Sequence, residues 1–351
     1  MSFERKILAW YEKNKRDLPW RKTKDPYKIW LSEVIFQQTR IEQGLDYYRR
    51  FVKAFPTLES LARAPREIVM KHWQGLGYYS RARNLHETAI FLYKNKYHTL
   101  PSSYKELIKL KGIGKYTAAA IASIAFNEPV PLADGNVYRL FARYFGIDAA
   151  IGTAKAEKIF LNKAGEMLNK KDPGTHNQAL MELGALVCTP RQPACHQCPI
   201  QNNCYAFAHH LQETLPVTQQ KKSSRKRFFI YYVITRDKHL YLRKRKADDI
   251  WKELYDFPLT ETAAPLSKKK ILEIAASKEG LTPKDILEIS EPFIHQLTHQ
   301  RITARFIRIT LAGSKKPSWL NDCMAVSFAS LKKFPFPRLI EKYLMQQHLL
   351  S

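Results

Sequence analysis

The chain has 351 residues, 45% of them hydrophobic and 12% aromatic, so wholesale disorder is excluded and two domains are expected. Lys and Arg number 58 against 32 Asp and Glu, and the net charge of +26 predicts a polyanionic partner, either nucleic acid or an anionic membrane. The longest nearly apolar stretch, Tyr116 to Phe126, is too short to span a bilayer, and the N-terminus lacks a secretory signal. We therefore expect no membrane partner, a cytoplasmic (bacterial-type intracellular) location and binding to nucleic acid.

The first part of the chain, residues 1–215, is expected to form an all-α domain. Its apolar residues follow the helical period in segments that Gly and Pro separate, which are Tyr27 to Phe55, Leu58 to Gln74, Arg81 to Asn95, Ser103 to Leu110, Tyr116 to Phe126, Asn136 to Phe145 and Ala154 to Asn169. Residues 216–227 are basic and poor in large apolar side chains, which predicts a solvated linker.

The apolar period falls to two beyond the linker. Phe228 to Thr235 and His239 to Arg243 are rich in aromatic and β-branched residues and predict strands. Within Ile302 to Leu311 the alternation slips by one residue, which predicts a β-bulge. Leu266 to Ser277 and Pro337 to Leu350 predict helices. Residues 228–351 are thus expected to form a smaller α/β domain, so the fold class is a multidomain α plus α/β protein.

Four of the five cysteines lie close together, at Cys188, Cys195, Cys198 and Cys204. Because the cysteines are few and lie close together, they predict a metal site in a reducing compartment rather than a disulfide framework. Structural zinc sites pair their ligands as two short knuckles separated by a longer gap. Here six, two and five residues separate successive cysteines, which favours a [4Fe–4S] cluster and leaves zinc as the alternative.

The segment from Leu107 to Ala119 predicts a helix end, a tight turn and a new helix. Gly112 and Gly114 permit positive φ and leave the backbone open to a ligand. The N–H groups that begin the second helix then favour an anion, to which Lys111 and Lys115 add positive charge. An ordinary helix corner with a Gly cap is the alternative, but the net charge of +26 favours a site for DNA phosphate.

Three segments carry a resemblance to a known family. They are Leu110-Lys-Gly-Ile-Gly-Lys-Tyr-Thr-Ala118, Ala133-Asp-Gly-Asn-Val-Tyr-Arg139 and the cysteine loop 188–204, and together they resemble the helix–hairpin–helix base-excision glycosylases with an iron–sulfur loop. Leu31-Ser-Glu-Val-Ile-Phe-Gln-Gln-Thr39 and Trp73-Gln-Gly-Leu-Gly-Tyr-Tyr-Ser-Arg-Ala-Arg-Asn84 are similar to the catalytic helix and a helix-linking loop of the MutY family of adenine glycosylases. The resemblance runs from about Leu18 through the linker and, more loosely, to the C-terminus, where it implies a Nudix-like 8-oxoguanine recognition domain.

Release of adenine from deoxyribose requires one carboxyl group that stays protonated and one that stays ionised. Glu33 shares a helix face with Trp30 and Val34, and such apolar neighbours raise a carboxyl pKa. The resemblance implies that Glu33 protonates the adenine ring. Asp134, taken alone, predicts a helix N-cap. The resemblance implies that it stabilises the oxocarbenium ion, with Asn136 orienting it.

Tyr116 stands where bifunctional relatives carry a nucleophilic Lys. Because Tyr has no amine to attack the sugar, we expect a monofunctional glycosylase, with Tyr116 hydrogen-bonded to Asp134. The resemblance further implies that Gln38 and Tyr78 insert into the duplex once adenine is extruded. It implies an adenine pocket formed by Trp20, Arg21 and Glu182. It also implies phosphate contacts from Arg81 and Arg83. Tyr79 is open to a core or a DNA role.

The second domain departs from the family pattern in two places. Leu297-Thr298-His299 replaces the usual Phe-Ser-His, so Thr298 keeps a hydroxyl for the oxidised base and His299 keeps a polar ring for phosphate or base. Glu253 replaces a Gly, which alters its loop if that Gly needs positive φ. The basic segment Leu266 to Lys278 contains a single Glu, too few for a metal site, which argues against metal-dependent Nudix hydrolysis and for a recognition role.

The expected partner is double-stranded DNA that contains adenine opposite 8-oxoguanine or guanine, bound by a monomer. Two alternatives are a mismatch-specific thymine glycosylase of the same superfamily and a non-catalytic iron–sulfur DNA-binding protein. The Nudix-like segment argues against the first, and Glu33 and Asp134 in their expected settings argue against the second.

Overall fold

The computed structural model describes residues 2–219, 224–278, 281–311 and 317–350. The chain divides into two compact units, of which the first comprises Met1–Ala64 and Arg83–Lys221 and the second comprises Pro65–Ala82 and Lys222–Ser351. Residues 65–82 therefore fold with the C-terminal part of the chain. None of the helices in the described ranges is long and apolar enough to cross a membrane.

The helices confirm most of the predicted helical segments. In chain order they are α1 (Phe3–Asn14), α2 (Pro26–Ile35), α3 (Ile41–Ala54), α4 (Leu58–Arg63), α5 (Arg66–Trp73), α6 (Ser80–Lys94), α7 (Tyr104–Leu107), α8 (Lys115–Phe126), α9 (Gly135–Phe145), α10 (Ala154–Met167), α11 (Pro173–Leu186), α12 (Tyr205–Ala208), α13 (Lys268–Ala276) and α14 (Arg338–Gln346).

Two predicted helical segments are each two helices. The first, Tyr27 to Phe55, is interrupted after α2, where Gln38 adopts a left-handed φ of 56°. The second, Leu58 to Gln74, is interrupted at Pro65, which precedes α5 as its N-cap and lacks the N–H that a continuous helix would use. Helices α1, α11 and the short α12 were not predicted. In α11 the polar residues His176, Asn177 and Glu182 are buried, so its sequence lacks a clear apolar stripe.

The core of the first unit places α9 and α11 side by side. Helix α11 packs against α1, α8 and α9, and α2 packs against α8. Helix α9 begins where Asp134 caps its N-terminus, and it ends at Gly146, whose φ of 68° is the left-handed conformation that favours Gly. The start of α9 is therefore brought close to α8, α2 and α11, which carry the other candidate site residues.

The second unit contains a mixed sheet of β1 (Arg225–Arg236), β2 (His239–Lys244), β3 (Tyr255–Asp256), β4 (Leu259–Thr262), β5 (Ile286–Ile289), β6 (Phe293–Gln296), β7 (Gln300–Thr310) and β8 (Cys323–Ser327). The strand order is β3-β2-β1-β7-β5, with β4 paired to β1, β6 to β7 and β8 to β2. Strands β1 and β7 are parallel, and the other pairs are antiparallel. Strand β1 begins at Arg225, inside the expected linker, of which residues 220–223 lie outside the described ranges.

The β-bulge predicted within Ile302 to Leu311 does not occur in that strand, so this prediction is wrong in its location. Strand β7 pairs with β1 in one unbroken register, and both of its faces are buried, with Phe306 stacked on Tyr343 on one side and Ile307 packed in the α13 core on the other. The one-residue shift in the alternation of apolar residues is therefore explained by the burial of both faces of β7. The irregularity lies instead in β5, between Ile286 and Glu288, where Leu287 is the extra residue.

Candidate active site and iron–sulfur loop

Glu33 lies on α2 in an apolar setting that favours its neutral form. Its helix neighbours Trp30 and Val34 are buried, while Glu33 itself keeps part of its surface exposed. Burial, with a smaller contribution from the charge of Asp134, raises the pKa of Glu33 to about 7 even though a hydrogen bond from Tyr116 and the charge of Arg21 act to lower it. A substantial fraction of Glu33 is therefore protonated at neutral pH.

Asp134 is the N-cap of α9, and its carboxylate accepts hydrogen bonds from several N–H groups. The backbone N–H groups of Asn136 and Val137 both donate to Oδ1 at 2.9 Å, and Asn136 Nδ2 donates to Oδ2 at 2.7 Å. Burial raises the pKa of Asp134 above its ordinary value, and these three donors oppose that rise. Because all three are donors, they favour the ionised carboxylate, in contrast to the surroundings of Glu33.

Tyr116 corrects one expectation. Its hydroxyl donates to Met181 Sδ at 3.3 Å and lies near the Glu33 carboxyl, whose pKa it lowers as a donor, so the expected hydrogen bond to Asp134 is wrong. The reason is geometric, because Tyr116 is on the first turn of α8, whose neighbours here are α2 and α11. Burial and the charge of Glu33 raise the pKa of Tyr116 well above its usual value, so the phenol stays protonated and acts as a donor.

The residues expected to form an adenine pocket lie near Glu33. Glu182 on α11 is buried and accepts two hydrogen bonds of 2.7 Å from the guanidinium of Arg21. Arg16 adds its backbone N–H at 2.9 Å and its side chain at 2.6 Å, and these donors hold the pKa of Glu182 down at about 2 despite burial. Trp20 is half-buried and packs on Phe36 with ring centroids 4.4 Å apart.

The hairpin before α8 uses its two glycines differently. Gly112 has a φ of 78°, and a Cβ there would approach Asn84 Cβ to 2.5 Å, so this position requires Gly. Gly114 is the N-cap of α8 with φ −85°, so it does not use the freedom to adopt positive φ that Gly permits. A Cβ at Gly114 would meet nothing within 4 Å, which leaves the uncapped N–H groups of α8 open on their outer side. Lys111 and Lys115 are exposed and pair with Glu87 at 2.6 Å and Glu157 at 2.8 Å.

Both residues expected to enter the duplex have strained backbones. Gln38 is exposed with φ 56°, and Tyr78 is 43% exposed with φ 45°. Left-handed φ is uncommon for residues other than Gly, and such strain concentrates at functional sites. Each residue occupies a turn within its own unit, where its side chain projects to the surface.

Thr298 contacts Tyr78 within the second unit. Their hydroxyl groups are hydrogen-bonded to each other, and Thr298 and His299 are both exposed in the short turn between β6 and β7. Arg81 lies beneath, buried, with its guanidinium over the rings of Trp73 and Tyr78. Its expected contact with phosphate is therefore wrong. Tyr79 is also buried, and its hydroxyl donates to the carbonyl of Phe336, so it fills core space.

The cysteine loop lines one cavity. Cys188, Cys195, Cys198 and Cys204 are free thiols that border this cavity together with Arg143. Buried Arg143 donates to Cys188 Sγ at 3.4 Å and to the carbonyl of Thr189 at 2.7 Å, which fixes the loop on α9. Across the described ranges no group of three or more His, Cys, Asp or Glu side chains could hold a single ion. A cubane does not require convergence on one point, because each corner iron takes its own cysteine.

Sequence reasoning missed three residues of this region: Arg16, Arg139 and Met181. Arg139 could have been predicted from the sequence, because it lies one helical turn after Asn136 in the same motif. Its guanidinium donates to Asn136 Oδ1 at 2.9 Å. Arg16 and Met181 meet their partners across more than sixty residues of chain, and no local pattern marks them.

The comparisons with known proteins define the class first. Residues 31–165 match the HhH-GPD superfamily of base excision DNA repair proteins, residues 188–204 match the iron–sulfur binding domain of endonuclease III, and residues 230–346 match the NUDIX domain. A thermostable thymine-DNA glycosylase structure is 28% identical and covers 59% of this chain and 95% of its own, with a TM-score of 0.53. The fold is thus that of a helix–hairpin–helix DNA glycosylase of base excision repair, with a cysteine loop that fits a [4Fe–4S] cluster.

Two curated relatives narrow the class. The adenine DNA glycosylase of Buchnera aphidicola subsp. Acyrthosiphon pisum is 35% identical over 326 residues, covering 91% of both chains. That of Rattus norvegicus is 42% identical over 214 residues, covering 58% of this chain and 42% of its own. The chain belongs to the adenine DNA glycosylase family, which confirms the predicted family, fold class, enzyme class and cofactor.

Proposed function

We propose that this enzyme hydrolyses the N-glycosidic bond of adenine mispaired with 8-oxoguanine, or less efficiently with guanine, in duplex DNA. The observation that carries the proposal is the pair of carboxyl groups of Glu33 and Asp134: the charge of Asp134 raises the pKa of Glu33, and the two carboxyl groups differ in their hydrogen-bond donors. One is set among apolar groups that favour its acid form, and the other accepts three N–H donors that favour its anion. Such a pair supplies the acid and the anion that glycosidic cleavage requires.

In this mechanism Glu33 transfers its proton to a ring nitrogen of the extruded adenine. The bond between the base and C1′ breaks, its electron pair leaves with the adenine, and positive charge develops on the sugar. Tyr116 hydrogen-bonds the Glu33 carboxyl and positions it. The Arg21–Glu182 pair lines the adenine side of the site, with Trp20 as an apolar wall.

Asp134 stabilises the cationic sugar until water adds at C1′ and gives its proton to the Glu33 carboxylate, which restores the acid, and Asn136 holds the Asp134 carboxylate in place. The product is an abasic site, because Tyr116 offers no amine for a Schiff base. The [4Fe–4S] cluster, when bound, cross-links the four cysteine positions, and the buried Arg143 ties that loop to α9. A monomer suffices, since every proposed group lies on one chain.

Recognition of the partner base is assigned to the second unit. The hydroxyl pair of Tyr78 and Thr298 is exposed, and His299 is exposed beside it. In this proposal Tyr78 and Gln38 occupy space in the duplex, while Thr298 hydrogen-bonds the oxidised base. Gly112, Gly114 and Lys111 hold a DNA phosphate at the N-terminus of α8. Residues 1–64 and 83–215 thus supply the chemistry, and residues 65–82 together with 228–351 supply the recognition.

The test is base release from duplexes that carry adenine opposite 8-oxoguanine, adenine opposite guanine or thymine opposite guanine. We expect fastest release from the first and none from the third. Glu33→Gln and Asp134→Asn should each slow release at least about 100-fold while duplex binding persists. Glu42→Gln and Asp46→Asn, on exposed positions of α3, are matched controls that should change neither.

Three results would contradict the proposal. Release of thymine in preference to adenine would favour a thymine glycosylase. Equal release of adenine opposite every partner base would remove the recognition role of Thr298. Efficient trapping of a covalent enzyme–DNA adduct by borohydride would show that an amine attacks the sugar and that the enzyme is not monofunctional.

A further inference from the structure

Residues 65–82, which carry Tyr78, fold with the second unit through contacts that have no role in the mechanism above. Glu67, Lys71 and Gln74 follow one another at intervals of four and three residues along α5 and its C-cap, so they lie on one face of the helix. Each of these side chains is hydrogen-bonded to the C-terminal part of the chain. This face of α5 therefore attaches the segment that carries Tyr78 to the rest of the second unit.

The first two of these residues fix the body of α5. Glu67 accepts hydrogen bonds from the hydroxyl of Tyr255 at 2.6 Å and from Lys244 Nζ at 2.8 Å. Lys71 Nζ donates to the carbonyl of Phe334 at 3.0 Å. These partners belong to β2, β3 and the segment before α14, so α5 is bound to several parts of the second unit at once.

Gln74 joins the end of α5 to helix α14. Its Nε2 donates to Glu341 Oε1 at 3.0 Å, and its Oε1 accepts from Lys71 Nζ at 2.9 Å and from the backbone N–H of Phe336 at 3.4 Å. A carboxylate only accepts and an ammonium only donates, so the amide of Gln74 has one satisfactory orientation. The other oxygen of Glu341 is bonded by Arg338 at 2.5 Å, which fixes the carboxylate on its own helix.

A closed loop separates Gln74 from Tyr78. The indole N–H of Trp73 donates to the carbonyl of Gly77 at 3.1 Å, and the guanidinium of buried Arg81 donates to the same carbonyl at 3.4 Å. Tyr78 follows with a φ of 45°, a conformation that persists only where the surrounding structure determines it. A displacement of Gln74 at the start of this loop is therefore passed on to Tyr78 at its end.

We propose that Gln74 and Glu341 are positioning residues for Tyr78, and that their hydrogen bond sets the preference for adenine opposite 8-oxoguanine over adenine opposite guanine. This role rests on the proposed function, in which Tyr78 enters the duplex and Thr298 bonds the partner base. Since the hydroxyl groups of Tyr78 and Thr298 are bonded to each other, the two side chains must keep a fixed relative position. Functional groups need to be held within about 0.5 Å of their working geometry, and the bond of Gln74 to α14 supplies this for Tyr78.

An exchange of charge between Gln74 and Glu341 tests this role in the full-length holoprotein. Gln74→Glu keeps an acceptor for Lys71 and Phe336 but sets two carboxylates against each other. The ratio of single-turnover release rates, adenine opposite 8-oxoguanine over adenine opposite guanine, should fall at least about threefold. When Gln74→Glu is combined with Glu341→Gln, the new amide donates to the new carboxylate, and the ratio should return to within about twofold of its original value.

Two comparisons separate positioning from a general effect. Gln346→Glu adds the same charge at an exposed position of α14 and should leave the ratio within about twofold of its original value. Glu341→Gln keeps an oxygen that accepts from the Gln74 amide, so its ratio should exceed that of Gln74→Glu. A folding defect would slow release from both duplexes by the same factor and leave their ratio unchanged, so a changed ratio reports the position of Tyr78.

This positioning role is overturned by an unchanged ratio in Gln74→Glu, by an equal fall in Gln346→Glu, or by a double variant that does not recover the ratio. Tyr78→Ala distinguishes the positioning role from the proposed function. A lower ratio in Tyr78→Ala with an unchanged ratio in Gln74→Glu overturns the positioning role alone. An unchanged ratio in Tyr78→Ala overturns the duplex role of Tyr78 on which the positioning role depends.

Discussion

Arg139 and Asn136 are joined by a hydrogen bond of 2.9 Å from the guanidinium to the side-chain oxygen. Asn136 Nδ2 donates in turn to Asp134, and Arg139 Nε donates at 2.6 Å to the carbonyl of Cys188, the first residue of the iron–sulfur loop. A second bond of 2.6 Å joins Arg139 to the carbonyl of Gly184 on α11. One buried guanidinium therefore fixes the amide that orients the proposed catalytic carboxylate and the start of the cysteine loop.

This chain of bonds leads to the first prediction. Arg139→Gln removes donors from four acceptors, and a buried acceptor left unpaired costs about 1 to 3 kcal/mol. We expect single-turnover base release to slow at least about 10-fold, with duplex affinity changed by less than threefold. In a double-mutant cycle with Asn136→Ala, the two effects on the rate should couple by about 1 kcal/mol. Strict additivity would mean that Arg139 does not act through Asn136.

The second prediction concerns the pH dependence of base release. Since burial raises the pKa of Glu33 to about 7, the protonated acid is abundant below that pH and is lost as the pH rises through it. Single-turnover rates at saturating enzyme should therefore fall about tenfold per pH unit well above 7. Protonation of Asp134 should lower the rate on the acid side, at a pH above its ordinary range because burial raises its pKa. A rate that keeps rising from pH 7 to pH 9 would contradict the assignment of Glu33 as the acid.

The same shift predicts that the stability of the fold, like the rate of base release, falls as the pH rises. The pKa of Glu33 rises from 4.5 to about 7 on folding, so between these values the native state binds more protons than the unfolded state. The free energy of unfolding must then fall as the pH rises through this window, by about 3 kcal/mol in total at most. Glu33→Gln should raise the Tm at pH 8 and lose that advantage near pH 4.5. Glu42→Gln, on exposed α3, should show no such pH-dependent gain.

The parts of the site that the sequence predicted are local in the chain. Asp134 and Asn136 belong to one capping motif, and the four cysteines belong to one loop of seventeen residues, 188–204, so spacing alone indicates their geometry. Glu33 was accessible to prediction because apolar residues surround it on its own helix. Sequence periodicity reports such local relations well.

What the sequence did not predict depends on distant contacts. Arg16 meets Glu182 across 166 residues, and Tyr116 bonds Glu33 rather than Asp134 because α8 packs against α2. The assignment of residues 65–82 to the second unit is likewise tertiary, since Gln74 bonds Glu341 and Tyr255 bonds Glu67 far along the chain. No pattern within a helix specifies which distant element will pair with it.

The third prediction tests the hydroxyl pair of Tyr78 and Thr298. Thr298→Val keeps the side-chain shape but removes the hydroxyl, and should reduce the preference for adenine opposite 8-oxoguanine over adenine opposite guanine several-fold. Thr298→Ser keeps the hydroxyl and should keep the preference. The measurement is the ratio of single-turnover rates and dissociation constants for the two duplexes. An unchanged ratio in Thr298→Val would exclude this hydroxyl from recognition of the partner base.

The fourth prediction concerns the backbone at Glu253. This residue has a φ of 68°, the left-handed conformation that costs a residue with a Cβ about 1 to 2 kcal/mol and costs Gly little. Its Oε2 is buried without a hydrogen-bond partner and lies 3.7 Å from Arg66 Nε, a contact worth at most about 1 kcal/mol. Glu253→Gly therefore removes more strain than attraction and should raise the Tm.

Glu253→Ala is the matched control, because it loses the same contact with Arg66 but keeps the Cβ and the strain. By calorimetry, the Gly variant should exceed the Ala variant by about 1 to 2 kcal/mol in the free energy of unfolding. Equal stability of the two variants would show that the left-handed backbone at this position carries no cost. A Gly variant less stable than the Ala variant would mean that the loop gains more from a restricted unfolded chain than it loses in the folded state.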